Sequence, residues 1–124
     1  MATVRYSVQR LTLTREISSP RSAQDAAGRV RAALEARHTK ISDLAGGTIS
    51  AKVGSRLRAS TTSILLTPPA KFPMIATVAI APTASGCTAK IEVASNFGGS
   101  TKARRGVWDQ VMAELMTQLT AAVQ

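Results

Sequence analysis

The sequence is short of almost everything from which a chemical site is built. It contains one cysteine and one histidine in 124 residues. A single cysteine cannot close an internal disulfide, so nothing points to an oxidising compartment. A metal site of histidine and cysteine ligands cannot be assembled within one chain either. Cys87 reads as a small core residue, and His38, beside Lys40, as a residue near a helix C-terminus favoured by the helix dipole rather than as a base. Aromatic residues are equally sparse, with one tryptophan, one tyrosine and two phenylalanines. That is too few for the stacking platforms on which single-stranded nucleic acids are bound. The seven acidic residues are scattered with no pair at a suggestive spacing, and there is no nucleophile elbow, Walker loop or dinucleotide fingerprint. A non-enzymatic protein without cofactor or metal is the expectation.

Long apolar runs are missing too. The longest, Met74 to Pro82, is interrupted by Thr77, far below the roughly 20 residues that span a bilayer. The opening MATVRYSVQR carries charges where a signal peptide needs apolar residues. The reading is a soluble, cytoplasmic protein.

What the sequence does have is positive charge. Sixteen lysines and arginines against seven acids leave a formal charge of +9, which makes an anionic partner plausible: nucleic acid phosphate, anionic lipid or an acidic protein. The 44% of hydrophobic residues is enough for one core, so residues 1–124 are read as a single domain.

The periodicities set the order of elements. Residues Thr3 to Ile17 form a strand whose apolar parity switches near Gln9 and Arg10, as a bulge would cause. A helix then begins either at Ser19-Pro20 or at the capping pair Ser22 and Asp25. Its apolar stripe is Ala23, Ala26, Ala27, Val30, Ala33 and Leu34, and it ends near His38. Thr39 to Gly47 carries turn chemistry. Strands follow at GGTISAKVGSRLRAS, TTSILLT, Met74 to Pro82 and Cys87 to Phe97, with the proline-rich TPPAKFP as a loop. The chain closes on a helix with Val107, Trp108, Val111, Met112, Leu115, Met116, Leu119 and Ala122 on one face. The predicted fold is α+β: an antiparallel meander of four to five strands with both helices on one face, in the order β-α-β-β-β-β-α.

This order, with a strand ending REISSP before the first helix and a long amphipathic helix at the end, resembles a shortened helix-grip domain of the START and Bet v 1-like superfamily. The resemblance implies an apolar small molecule held between the sheet and the last helix. Ile91, Trp108, Met112 and Met116 would then line the pocket.

Three features are candidates for function. In GGTISAKVGSRLRAS the apolar residues Ile49, Ala51, Val53 and Leu57 are odd and the cations Lys52, Arg56 and Arg58 are even. A strand's two-residue pleat puts those cations on one face, spread over roughly 20 Å at about 3.3 Å per residue. Lys90 and Arg5, Arg10 and Arg15 extend the row if their strands and faces agree. Solubility and protection of a sheet edge are the other use of such charges. The second feature is NFGGSTKARRG, where Gly98, Gly99, Ser100, Thr101, Lys102, Arg104 and Arg105 lead into a helix. Cations at that end oppose the helix dipole by about 0.3–1 kcal/mol each, a conflict that a bound phosphate or carboxylate would remove. The alternative is a helix beginning at Gly106 or later, with the cations in a solvated loop. The third is Phe72, either an exposed anchor on a rigid proline-rich tip or a core residue. A structural subunit of a homo-oligomer is the remaining reading, marked by an unpaired edge of the meander.

Overall fold

The computed structural model describes residues 11–37, 39–44, 47–54, 72–96 and 104–124. Its elements are β1 (Thr12–Ser19), α1 (Ala23–Glu35), β2 (Lys40–Leu44), β3 (Thr48–Val53), β4 (Met74–Thr83), β5 (Gly86–Ser95) and α2 (Arg105–Val123). The five strands form one antiparallel sheet in the order β1-β5-β4-β3-β2. The fold is α+β, with the element order read from the sequence.

One face of the sheet is buried. Along β5, Cys87, Ala89, Ile91 and Val93 are buried while Lys90 and Glu92 are exposed, and along β3, Ile49, Ala51 and Val53 are buried. The helices cover this face, α1 over β2 to β5 and α2 over β5 and β1. Both predicted helical stripes are found. Ala26, Val30 and Leu34 of α1, and Trp108, Val111, Met112, Leu115, Met116 and Leu119 of α2, lie in one core cluster with the sheet residues. Burying side chains of this size contributes about 1.5–3 kcal/mol each.

Helix α1 uses the second of its two possible caps. The Ser22 hydroxyl accepts the Asp25 N–H at 3.1 Å. The helix stops at Glu35, earlier than expected, because Thr39 closes its end: the Thr39 hydroxyl donates to the Leu34 carbonyl at 2.8 Å. The chain then enters β2, which corrects the reading of Thr39 to Gly47 as a turn. Residues Lys40 to Leu44 pair along their whole length with β3. The run TTSILLT, expected as a strand, lies outside the described residues. The count of four consecutive strands therefore rests on β2 instead. The switch of parity near Gln9 and Arg10 also falls outside the described residues.

Two glycines hold this arrangement. A Cβ at Gly47, where φ is +77°, would stand 2.8 Å from the Ile80 carbonyl oxygen, and Ile80 N–H donates to Gly47 O at 3.2 Å. Gly47, just before β3, is thus pressed against β4. At Gly86 the imagined Cβ would come within 2.0 Å of Ser19 O, so the β4–β5 turn passes directly beneath the end of β1.

Candidate anion-binding surface

The ladder registers decide which cations share a face. Lys52 is exposed, as its parity requires, and its partner in β2 is Lys40, also exposed. On the other side Lys52 faces Ile75 of β4, and Ile75 faces Ala94 of β5. One step along the strands, Ser42 faces Ser50 and Ser50 faces Thr77. The outer face at the β2–β3 corner therefore presents two ammonium groups and a set of hydroxyls. Among the described side chains, the first carboxylate on this face is Glu92, the partner of Thr77 in β5, two strands or about 10 Å from β3.

This geometry is locally unfavourable. Directly opposed residues of an antiparallel pair have Cα atoms about 4.5–5.5 Å apart, and like charges there destabilise the pair. Neither Lys40 nor Lys52 forms an ion pair among the described residues. Lys40 was missed in the sequence because SDLAGG draws attention to the turn. The usable signal was the alternation of KIS opposite SAK.

The proposed extension of the row is only partly realised. Lys90 stands on the same face, but its β1 partner is Glu16. Arg15 is the partner of Ile91, so it has the parity of the covered face and leaves the row, a correction that follows from the one-residue pleat. Arg56, Arg58, Arg5 and Arg10 lie outside the described residues.

Gly98 to Lys102 also lie outside the described residues, but the end of the second feature is visible. Helix α2 begins at Arg105, not at Gly106, and has no acidic residue in its first turn and no side-chain cap. Its N-cap, Arg104, is left-handed with φ 56°, a conformation that costs a non-glycine residue about 1–2 kcal/mol. The Arg104 guanidinium lies 5.1 Å from the centre of the Phe72 ring, and Arg105 Nε donates to Asp109 Oδ1 at 3.1 Å. Both cations are thus engaged with their own chain.

Phe72 is not an exposed anchor. It is fully buried and packs on Trp108 with ring centroids 4.7 Å apart, an aromatic contact that anchors the start of α2. Ile91, Trp108, Met112 and Met116, the candidate pocket lining, are all buried in the core cluster. Three surface depressions formed by described residues lie elsewhere. One is bounded by Ser18, Ser19, Pro20, Thr83, Ser85, Cys87 and Thr88, one by Glu16, Ala79 to Ala81, Thr88 and Lys90, and one runs between the helices along Arg29, Ala32, Ala33, Gln118, Ala121 and Ala122. None of the three is lined by those four residues.

A different set of cations closes the helical layer. Helix α2 has no basic residue in its last turn, and donors from elsewhere reach its last carbonyls. Ser19 Oγ donates to Val123 O at 2.7 Å, Arg29 Nε to Ala122 O at 2.8 Å and Arg21 Nε to Gln124 O at 2.9 Å. Arg37 Nε donates to the Gln118 side chain one turn earlier. Arg21 and Arg29 complement the negative end of the α2 dipole and satisfy carbonyls that a helix end leaves open. Part of the basic excess is structural.

No protein-family model matches the chain, and no curated protein matches it in sequence. Among solved structures it is similar to protein MLL2253 from Mesorhizobium loti, with a TM-score of 0.54 and 11% identity over 91% of this chain and 96% of that one. It also aligns with an uncharacterised protein from Rhizobium leguminosarum at 16% identity, covering 90% of this chain and 95% of that one, with a TM-score of 0.35. The first likeness concerns the fold alone. Among the described residues no helix is long and apolar enough to cross a membrane, and no group of three potential metal ligands is present.

Proposed function

We propose that this protein is a non-catalytic module that binds a phosphate-bearing polyanion on the outer face of its sheet, at the β2–β3 corner. The observation that carries this reading is the direct opposition of Lys40 and Lys52 with no ion pair to either among the described residues. A polyanion laid across the corner converts their repulsion into two attractions, and the hydroxyls of Ser42 and Ser50 add neutral donors for phosphate oxygens. Arg56 and Arg58 follow Lys52 in the chain and belong to the same reading. Gly98 to Lys102 enter only as a secondary contact, since Arg104 and Arg105 already have partners in Phe72 and Asp109. The finer likeness to a helix-grip domain remains part of this proposal as a statement about layout: a last helix laid over an antiparallel sheet. A cytoplasmic location fits both the binding partner and the single buried Cys87.

The test is binding of a fluorescent duplex oligonucleotide by anisotropy across a salt series, with vesicles rich in anionic lipid as a second arm. Reversing both lysines, Lys40→Glu with Lys52→Glu, is expected to weaken binding by at least about tenfold at low salt. It should also flatten the salt dependence by about two ion contacts, at about 0.9 per phosphate neutralised. Preference for vesicles over duplex assigns the phosphate to a lipid surface. Unchanged affinity in the reversed variant in both arms refutes the site.

A further inference from the structure

The two edges of the sheet are β1 and β2, and they are built differently. Strand β2 is five residues long and starts with a lysine. Strand β1 is eight residues long, contains no proline or lysine, and follows β5 residue for residue from Thr12↔Ala94 to Ser19↔Cys87 without a bulge. Residues Thr12 to Glu16 are exposed. Leu13, at 39%, is the exposed large hydrophobic side chain among the described residues. Short length, lysine, proline and bulges are how sheets prevent an edge from recruiting another strand. β1 has none of these four, and the charges it carries are Arg15 and Glu16.

The hydrogen bonds at its start show which backbone groups are available. Ser95 N–H donates to Leu11 O at 2.9 Å, and Leu11 N–H is taken by Ser95 Oγ. Leu11 therefore faces β5. In an antiparallel ladder bonded positions alternate, so Leu13, Arg15, Ile17 and Ser19 also bond to β5, and the N–H and C=O groups of Thr12, Thr14, Glu16 and Ser18 point to the open edge.

We propose that this edge pairs with the same edge of a second copy, antiparallel and centred on Thr14, giving a continuous ten-stranded sheet with all helices on one side. Symmetry supplies the argument. Two antiparallel strands of identical protomers are related by a two-fold axis normal to the sheet, so one residue must face its own copy. Centring on Arg15 puts guanidinium against guanidinium, and centring on Glu16 puts carboxylate against carboxylate; like charges directly opposite are destabilising. Centring on Thr14 aligns residues 11 to 17 of each strand, the longest run available without a like-charge pair. It sets Thr14 against Thr14, Thr12 against Glu16, Leu13 against Arg15 and Leu11 against Ile17. Each bonded pair in that register, Thr14 with Thr14 and Thr12 with Glu16, uses residues whose backbone groups already point outward. The aliphatic stem of Arg15 covers the exposed Leu13 of the other copy. The occupant is a second copy because residues 11 to 17 meet their own copy over seven positions with no like-charge pair, and the exposed Leu13 of each copy is covered in doing so.

The experiment measures mass in solution by light scattering over a concentration series, with three variants. The parent is expected at twice the protomer mass. Thr14→Pro removes an N–H that β5 does not use, and is expected to be monomeric with an unchanged circular dichroism spectrum. Thr14→Cys places two thiols on Cα atoms about 5.5 Å apart, within disulfide range, and should cross-link on mild oxidation. Thr12→Cys, whose copies lie about 13 Å apart in this register at about 3.3 Å per residue, should not; Cys87 is buried in every variant. A monomeric parent overturns the proposal. So does a dimer in which Thr14→Cys fails to cross-link, or in which Thr12→Cys cross-links equally well.

Discussion

The cations of the helical layer and those of the sheet's outer corner have the same chemistry and opposite situations. Arg21, Arg29 and Arg37 recur at eight-residue intervals before, within and beyond α1, and each reaches α2 or the residue that ends it. They stand where a helix dipole is negative and where carbonyls lack partners, so their charge is satisfied by the fold. Lys40 and Lys52 stand opposite each other, so the fold leaves their charge in conflict. The lesson is that a net charge of +9 is not one property. Cations that the fold has already used contribute little to recruiting a partner; those that it opposes are the ones that gain most from an anion.

That contrast can be broken most forcefully in the helical layer. Ser19→Ala leaves the Val123 carbonyl without its buried donor, and is expected to lower unfolding free energy by about 1–3 kcal/mol in urea titrations. Arg29→Ala should cost about 1 kcal/mol through the same helix end while leaving polyanion affinity within about twofold of the parent. Similar losses of affinity in Arg29→Ala and Lys40→Glu would erase the distinction. At the start of α2, Arg104→Gly is expected to be more stable than Arg104→Ala by about 1 kcal/mol, because glycine adopts the left-handed conformation without strain. Both variants lose the stack on Phe72, so their difference isolates the backbone. The smallest effect belongs to the corner. Lys40→Glu replaces a like pair by an opposite one and should raise stability by about 0.2–1 kcal/mol, while weakening polyanion binding. A destabilised Lys40→Glu would show that the pair is not in conflict.

The readable parts of the fold were those with unbroken periods. The four-residue steps from Val107 to Leu119 and the alternation from Cys87 to Val93 each name their buried face, and the structure buries those residues, Val107 only in part. Ser22 and Asp25 announced the cap that α1 uses. Lys40 to Leu44 was not legible because five residues hold too little alternation to outweigh the serine, aspartate and glycines beside them. Pairing with β3 decides that they are extended. Phe72 sits in a run of prolines that reads as a loop and lies mostly outside the described residues; only Trp108, thirty-six positions away, explains its burial. Of the candidate site, Lys52 was placed on its outward face by parity alone. Its partner Lys40 was not found, and Arg15, which was to join the row only if the faces agreed, is excluded from it by the β1–β5 register.

By itself the sequence determined the class of fold, the two helical stripes and the inner and outer faces of individual strands, because periods of 3.6 and 2 are properties of neighbouring residues. Tertiary structure alone decided that Lys40 opposes Lys52, that Arg21 and Arg29 close the end of α2, and that β1 is left at an edge. Those relations join residues from 12 to more than 100 positions apart, and no local period records which strand or helix end will lie beside another.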